Sequence, residues 1–204
     1  MSETELQIQH LRAAELQFRL ASAVRLATTF QIQPRDLPIT WSHGSHVIRY
    51  DEIALSEDDA DRGAYHLQRS ATFLMAVAMK DAIRIAIPNP KNHSDPDVRS
   101  AYQISRLIRN AFAHAPFNPV WSIDPDCRDQ VFSVRDLLSF DTSGLQDQPF
   151  DWRHYGGPLA ILRLSSFVRL EILHDSQPPS KVIPMPQTVY LQQGDVILKR
   201  VGDA

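Results

Sequence analysis

Arg106-Leu107-Ile108-Arg109-Asn110-Ala111-Phe112-Ala113-His114-Ala115-Pro116-Phe117-Asn118-Pro119-Val120-Trp121 is the stretch whose reading decides the fold. It starts as the last turns of a helix and ends at Pro116. A proline lacks the N–H and pushes the preceding residue out of the helical region, so His114 falls in the final turn. Arg99, Gln103, Arg106, Asn110 and His114 are spaced by three or four residues and form one polar stripe. Ala101, Ile104, Ile108 and Ala111 form an apolar stripe at the same kind of spacing, and Arg109 borders the polar one. A guanidinium, an amide and an imidazole thus converge near the helix end. Such groups hold a phosphate and move a proton near neutral pH.

Arg109-Asn110-x-x-x-His114 resembles the motif of the HEPN superfamily, an Arg followed after four to six residues by a His. The longer string with Phe112, Pro116, Phe117, Pro119 and Trp121 resembles a group of bacterial proteins placed there. The likeness is tight over residues 99–121 and loose over the helices at 56–87 and 157–174. It implies a mainly α protein, a HEPN-like four-helix bundle that usually dimerises. It also implies a metal-independent endoribonuclease, a toxin or defence effector, or else a non-catalytic module binding a partner such as a nucleotidyltransferase-type antitoxin. Arg109, Asn110 and His114 would be catalytic, with Arg106, Arg99 and Tyr102 on the RNA and Asp81 as an orienting acid. Arg169 and His174 repeat the same spacing and act as a decoy.

The chain has 204 residues, 43% apolar and 22% charged, which suits one globular domain with appendages. A net charge of −3 excludes a generally basic nucleic-acid binder, so any RNA contact must come from a local patch. One cysteine, Cys127, excludes an internal disulfide and a multi-cysteine zinc site. Its acidic neighbours make it a poor nucleophile. No secretory pattern and no long apolar run stands in the chain, so a cytoplasmic protein with no membrane contact and no cofactor is expected.

Outward from the motif, residues 3–30 read as a helix with Leu6, Leu11, Leu16, Leu20, Val24 and Ala27 on one broad face. Its Arg12, Arg19 and Arg25 read as a solvated face, with an RNA-facing stripe as the alternative. Pro34 and Pro38 stop it, and 39–50 reads as a β-hairpin turning at Gly44-Ser45. His43 and His46 there are too few for a metal site. Ser56 caps a second helix running to about Ile87, apolar almost all round between Ala71 and Ala82. Such a helix is central, and a share in a dimer interface is expected of it. Asp81 has Arg84 as its ordinary i,i+3 partner.

Asp95 or Ser94 caps the motif helix. Beyond it, Trp121–Ile123 and Gln130–Val134 alternate as half-buried strands around the turn Asp124-Pro-Asp126, a small β insert near 120–140. Leu137–Phe140 is a further strand or turn. His154 and Tyr155 precede two glycines and the last helix, Pro158 to His174, where backbone N–H groups can meet an anion. The expected organisation is a helical domain over 1–175, then a Pro-rich linker and hairpin over 176–204.

Overall fold

In the computed structural model, residues 1–29 and 55–176 are described in full, together with the backbone of four strands near the two ends. These strands form two antiparallel hairpins, β1 (Thr40–His43) with β2 (His46–Arg49) and β5 (Thr188–Gln193) with β6 (Val196–Val201). His43 pairs with His46 across the first, and Gln193 with Val196 across the second. Pro34, Pro38, the Gly44-Ser45 turn, the Gly194-Asp195 turn and the Pro-rich stretch 177–187 lie outside the described residues.

The chain is mainly α-helical. Helix α1 spans Glu3–Thr29, α2 Glu57–Ala86, α3 Pro96–Ala113 and α4 Pro158–Phe167. Helix α2 starts where a hydroxyl meets the exposed helix N–H groups: Ser56 Oγ accepts from Asp59 N at 3.2 Å. It is the central element, touching α1, α3 and α4. Met75, Ala76, Met79, Ala82 and Ile83 are all fully buried along it. The helix thus faces its own chain on most sides, as an almost wholly apolar sequence requires.

Helix α1 buries a different face from the one its leucines suggest. Leu11, Ala14, Phe18 and Ala21 repeat at three and four residues and form the seam against α2. Leu16 and Leu20 are 62% and 66% exposed. Nor do its arginines share a role. Arg12 bonds Asp175 at 2.5 Å, Arg25 pairs with Asp61 and lies over the Tyr65 ring, and Arg19 is exposed.

The expected insert is present, with a different pairing. Strand β3 (Val131–Val134) pairs antiparallel with β4 (Leu138–Asp141), Phe132 opposite Phe140. Trp121–Ile123 does not join them. Val120 instead bridges Pro149, Trp121 N donates to Gln148 O at 2.8 Å, and Asp147 N donates to Trp121 O at 2.9 Å. The reason is the indole. Trp121 is fully buried and packs on Phe140 and Phe150 with ring centroids 4.9 and 5.0 Å away, which a half-wet strand would not permit.

Helix α4 continues past Phe167 as a π-helix, so the helical stretch covers 158–172, close to the expected end at His174. Gly156 and Gly157 precede it with φ of 99° and 92°, a conformation other residues rarely adopt. After Phe167 the chain widens into a π-turn, Val168–Ile172, and Asp175 N closes back on Arg169 O at 3.0 Å. This wide turn carries Arg169 into the interior. Its Nε lies 3.3 Å from Glu15 Oε1 and its Nη1 2.7 Å from Asp175 Oδ2, with all three side chains under a tenth exposed. Ser165 Oγ donates to Glu15 Oε1 at 2.7 Å.

Removing the guanidinium leaves the buried Glu15 carboxylate with the Ser165 hydroxyl and no cation, and Asp175 with Arg12. Arg169→Met should cost about 3–5 kcal/mol of folding free energy, read as a lower urea midpoint at pH 7. A midpoint equal to that of the unaltered protein would show the network to be energetically idle.

Candidate functional site

Helix α3 is set at both ends. Asp95 Oδ1 accepts from Asp97 N at 2.8 Å and Pro96 occupies the first turn. His114 is the C-cap, with φ −104° and ψ −23°, and Pro116 prevents continuation. The chain then curls back, Val120 N donating to Ala111 O at 3.1 Å. Ile104, Leu107, Ile108 and Phe112 anchor the buried face, and Phe112 meets Phe150 edge to face at 4.7 Å. The polar stripe therefore faces the 120–131 segment and solvent.

That segment supplies carboxylates whose meeting with the stripe the sequence does not announce. Arg106 Nη2 bonds Asp126 Oδ1 at 2.9 Å, and its Nε lies 3.3 Å from Asp124 Oδ2 without hydrogen-bond geometry. Asn110 Nδ2 donates to the same Asp124 oxygen at 3.0 Å, and Asn110 Oδ1 accepts from Arg109 Nη1 at 3.3 Å. One relay thus runs from Arg109 through Asn110 and Asp124 to Arg106 and Asp126. Burial works against the Asp126 charge, but Arg106 and Lys91 outweigh it and hold the carboxyl below its ordinary range. This contact is intact above the usual carboxylate pKa and lost only as pH falls through that depressed value.

Arg109 is half-buried and makes no ion pair among the described residues. The carboxylates open to it in principle are engaged elsewhere: Glu171 with Arg135 at 3.1 Å, and Asp81 with Lys80 at 3.1 Å. His114 is exposed and lines a hollow of about 220 Å³ with Asn110, Val120, Trp121, Ser122 and Asp147. Trp121 Nε1 donates to His154 Nδ1 at 2.8 Å, so a second imidazole stands behind the indole. Asp147, Ser122 and His154 carried no sequence signal tying them to the motif. They arrive through the bridge between 120 and 149.

Of the residues singled out from the sequence, Asn110 and His114 line this hollow, and Arg109 is joined to it through its bond to Asn110. Asn110 bonds Arg109 and Asp124 rather than His114, so it orients the guanidinium and not the imidazole. Arg106 is tied to the aspartates. Arg99 Nη1 donates to the carbonyls of His93 and Ser94 at 2.5 and 3.0 Å. Tyr102 is only 8% exposed and belongs to the core, which removes it as a stacking platform. Asp81 pairs with its neighbour Lys80, not with Arg84, and lines a groove between α1 and α2 that contains no residue of α3. Among the described residues no contact joins it to Arg109, Asn110 or His114, whereas Asp124 accepts from Asn110.

The loop carrying Phe117 is held from beneath by Arg69. This 7%-exposed guanidinium donates to the Phe117 and Phe150 carbonyls at 3.4 and 3.3 Å and lies 4.7 Å from the Tyr65 ring centroid. The decoy motif is disqualified by burial, since Arg169 is locked on Glu15 and Asp175. Tyr155 beside the two glycines is fully buried, and desolvation pushes its hydroxyl well above the ordinary value. Among the described residues no three His, Cys, Asp or Glu side chains stand together as a metal site, and no helix is long and apolar enough to cross a membrane.

Cys127 is fully buried behind this relay. Burial raises its thiol above the ordinary value, and the Asp126 and Asp124 charges add to this, while Arg106, 3.0 Å from Sγ, opposes them. The native protein should therefore react with a thiol reagent at pH 8 at least about tenfold more slowly than the urea-unfolded chain. Equal rates would mean that the 124–127 turn does not close on α3.

No protein-family model, curated protein or solved structure matches this chain, so what the site does is argued from its own residues.

Proposed function

We propose that this chain is a metal-independent endoribonuclease of HEPN type, acting through Arg109 and His114. One observation carries the reading. Arg109, without a carboxylate partner among the described residues, bonds Asn110, and Asn110 lines a hollow with the exposed His114. A cation left without an internal counter-charge beside a solvent-open imidazole suits a phosphodiester better than it suits fold stability.

RNA brings its own nucleophile, the 2′-hydroxyl. His114, of the only side-chain type whose ordinary pKa suits acid–base work near pH 7, takes the 2′-hydroxyl proton as the oxygen attacks phosphorus. Arg109 holds the non-bridging oxygens as negative charge builds on them. The bond from phosphorus to the 5′-oxygen breaks and that oxygen is protonated, leaving a cyclic 2′,3′-phosphate and a free 5′-hydroxyl. The donor of that proton is the His114 of a second copy, which brings its own Arg109 across a shared groove. In the cell such an enzyme acts as a toxin or a defence effector.

Apolar side chains open to a second copy stand on α1 and α2 rather than beside His114. Leu16 and Leu20 of α1 and Leu67 and Leu74 of α2 are 46–66% exposed, and a groove of about 590 Å³ runs between the two helices. The same apolar face favours the second reading, a non-catalytic module that binds a protein partner such as an antitoxin.

Total RNA incubated in EDTA with the purified protein should be cleaved to cyclic phosphate ends. His114→Ala should lower the rate by about 10²–10⁴-fold and Arg109→Ala by about 10²–10³-fold. Equal cleavage by all three proteins would sink the assignment, and no cleavage by any of them would favour the binding module. Leu16→Glu with Leu20→Glu should give a folded monomer by sedimentation and remove activity. A monomer that cleaves normally would refute the composite site.

A further inference from the structure

A second cleft lies on the same helix, about one and a half turns and more toward its N-terminus. It measures about 440 Å³ and sits between α3, the 3₁₀ turn Pro90–Asn92 and the start of β3. Lys91, Asn92, Arg99, Gln103, Asp126 and Phe132 line it. Gln103 is 8% exposed, and its Oε1 is buried without a hydrogen-bond partner. Native structures leave few such groups unpaired, because an amide oxygen removed from water forfeits its hydrogen bond. Turning the amide over does not resolve this, since it puts the nitrogen in the same place.

We propose that this cleft binds an adenine base, read by the Gln103 side-chain amide. A carboxamide presents an acceptor and a donor side by side. Adenine answers with its N6 amine and N7, the pairing through which glutamine and asparagine select it in nucleic acids. The cleft far exceeds the room one water needs, and Phe132 gives it an apolar wall. Its rim carries Lys91 and Arg99 against Asp126 alone, and Arg106 already shares that carboxylate at 2.9 Å. The surplus positive charge suits the phosphate attached to the base. Asp126 holds Lys91 at 3.1 Å while both side chains remain more than two-fifths exposed, so a phosphate can compete for the ammonium. The adenine can come from a free nucleotide or from an unpaired position in RNA, and neither requires that the chain cleave RNA.

Titration calorimetry on the full chain in EDTA tests this with AMP, UMP, adenosine and a 2′-O-methyl oligoadenylate, which has no free 2′-hydroxyl to react. AMP should bind about tenfold or more tightly than UMP, and Gln103→Leu should abolish that preference. Lys91→Glu, on the exposed rim, should weaken AMP several-fold while leaving adenosine unchanged, and it does so without disturbing the core. Oligoadenylate binding as tight as AMP identifies RNA as the source, whereas AMP alone identifies a free nucleotide; both outcomes support the site. Equal affinity for AMP and UMP, an unchanged preference in folded Gln103→Leu, or no saturation with millimolar AMP would overturn it. Because no cleavage is measured, failure of the ribonuclease reading leaves these results intact.

Discussion

The contact between the Asp124 carboxylate and Asn110, with Arg106 beside it, decides what helix α3 can present. One oxygen fourteen residues beyond Asn110 receives the amide hydrogen bond and faces the Arg106 guanidinium. It removes Arg106 from the pool of available cations and turns the other end of the Asn110 amide toward Arg109. Without it, Asn110 and two arginines would each take the rotamer that solvent favours. With it, Asn110 holds the Arg109 guanidinium at 3.3 Å while itself lining the hollow beside His114.

That contact depends in turn on the aromatic cluster behind it. Trp121, Phe140, Phe150 and Tyr155 pack with centroids 4.9–6.4 Å apart and fix the 120–155 segment on the last turn of α3. Arg69 secures the same segment from the α2 side through two backbone carbonyls. Buried aromatic area supplies the stability, and the polar groups supply direction. The arrangement leaves one guanidinium, Arg109, without a carboxylate partner among the described residues on a chain whose net charge is −3.

The two Arg-to-His spacings show why spacing alone is a weak signal. Arg109 and His114 straddle a helix end, where His114 is exposed. Arg169 and His174 straddle a π-turn whose inner side faces α1. The first guanidinium stays half-buried without a carboxylate partner among the described residues. The second sits between Glu15 and Asp175 at 3.3 and 2.7 Å and serves the fold. Identical chemistry is thus assigned to opposite roles by which face is covered.

Local patterns in the sequence were enough for the helices, their caps and the motif. Ser56 and Asp95 as caps, Pro116 as a stop and the apolar run of α2 are consequences of near-neighbour backbone chemistry, and such signals act within a few residues. The triad of Arg109, Asn110 and His114 was legible for the same reason, because helical spacing puts all three at one end. What needed the tertiary structure was every pairing across distance. Leu16 and Leu20 fit an apolar face as well as Leu11 and Phe18 do, and only the position of α2 selects between them. Asp124 rather than Asp81 meets Asn110, Tyr102 goes to the core, and Trp121 pairs with 147–149 instead of β3. Each of these depends on which surfaces meet when the chain folds, and a one-dimensional pattern holds no record of that.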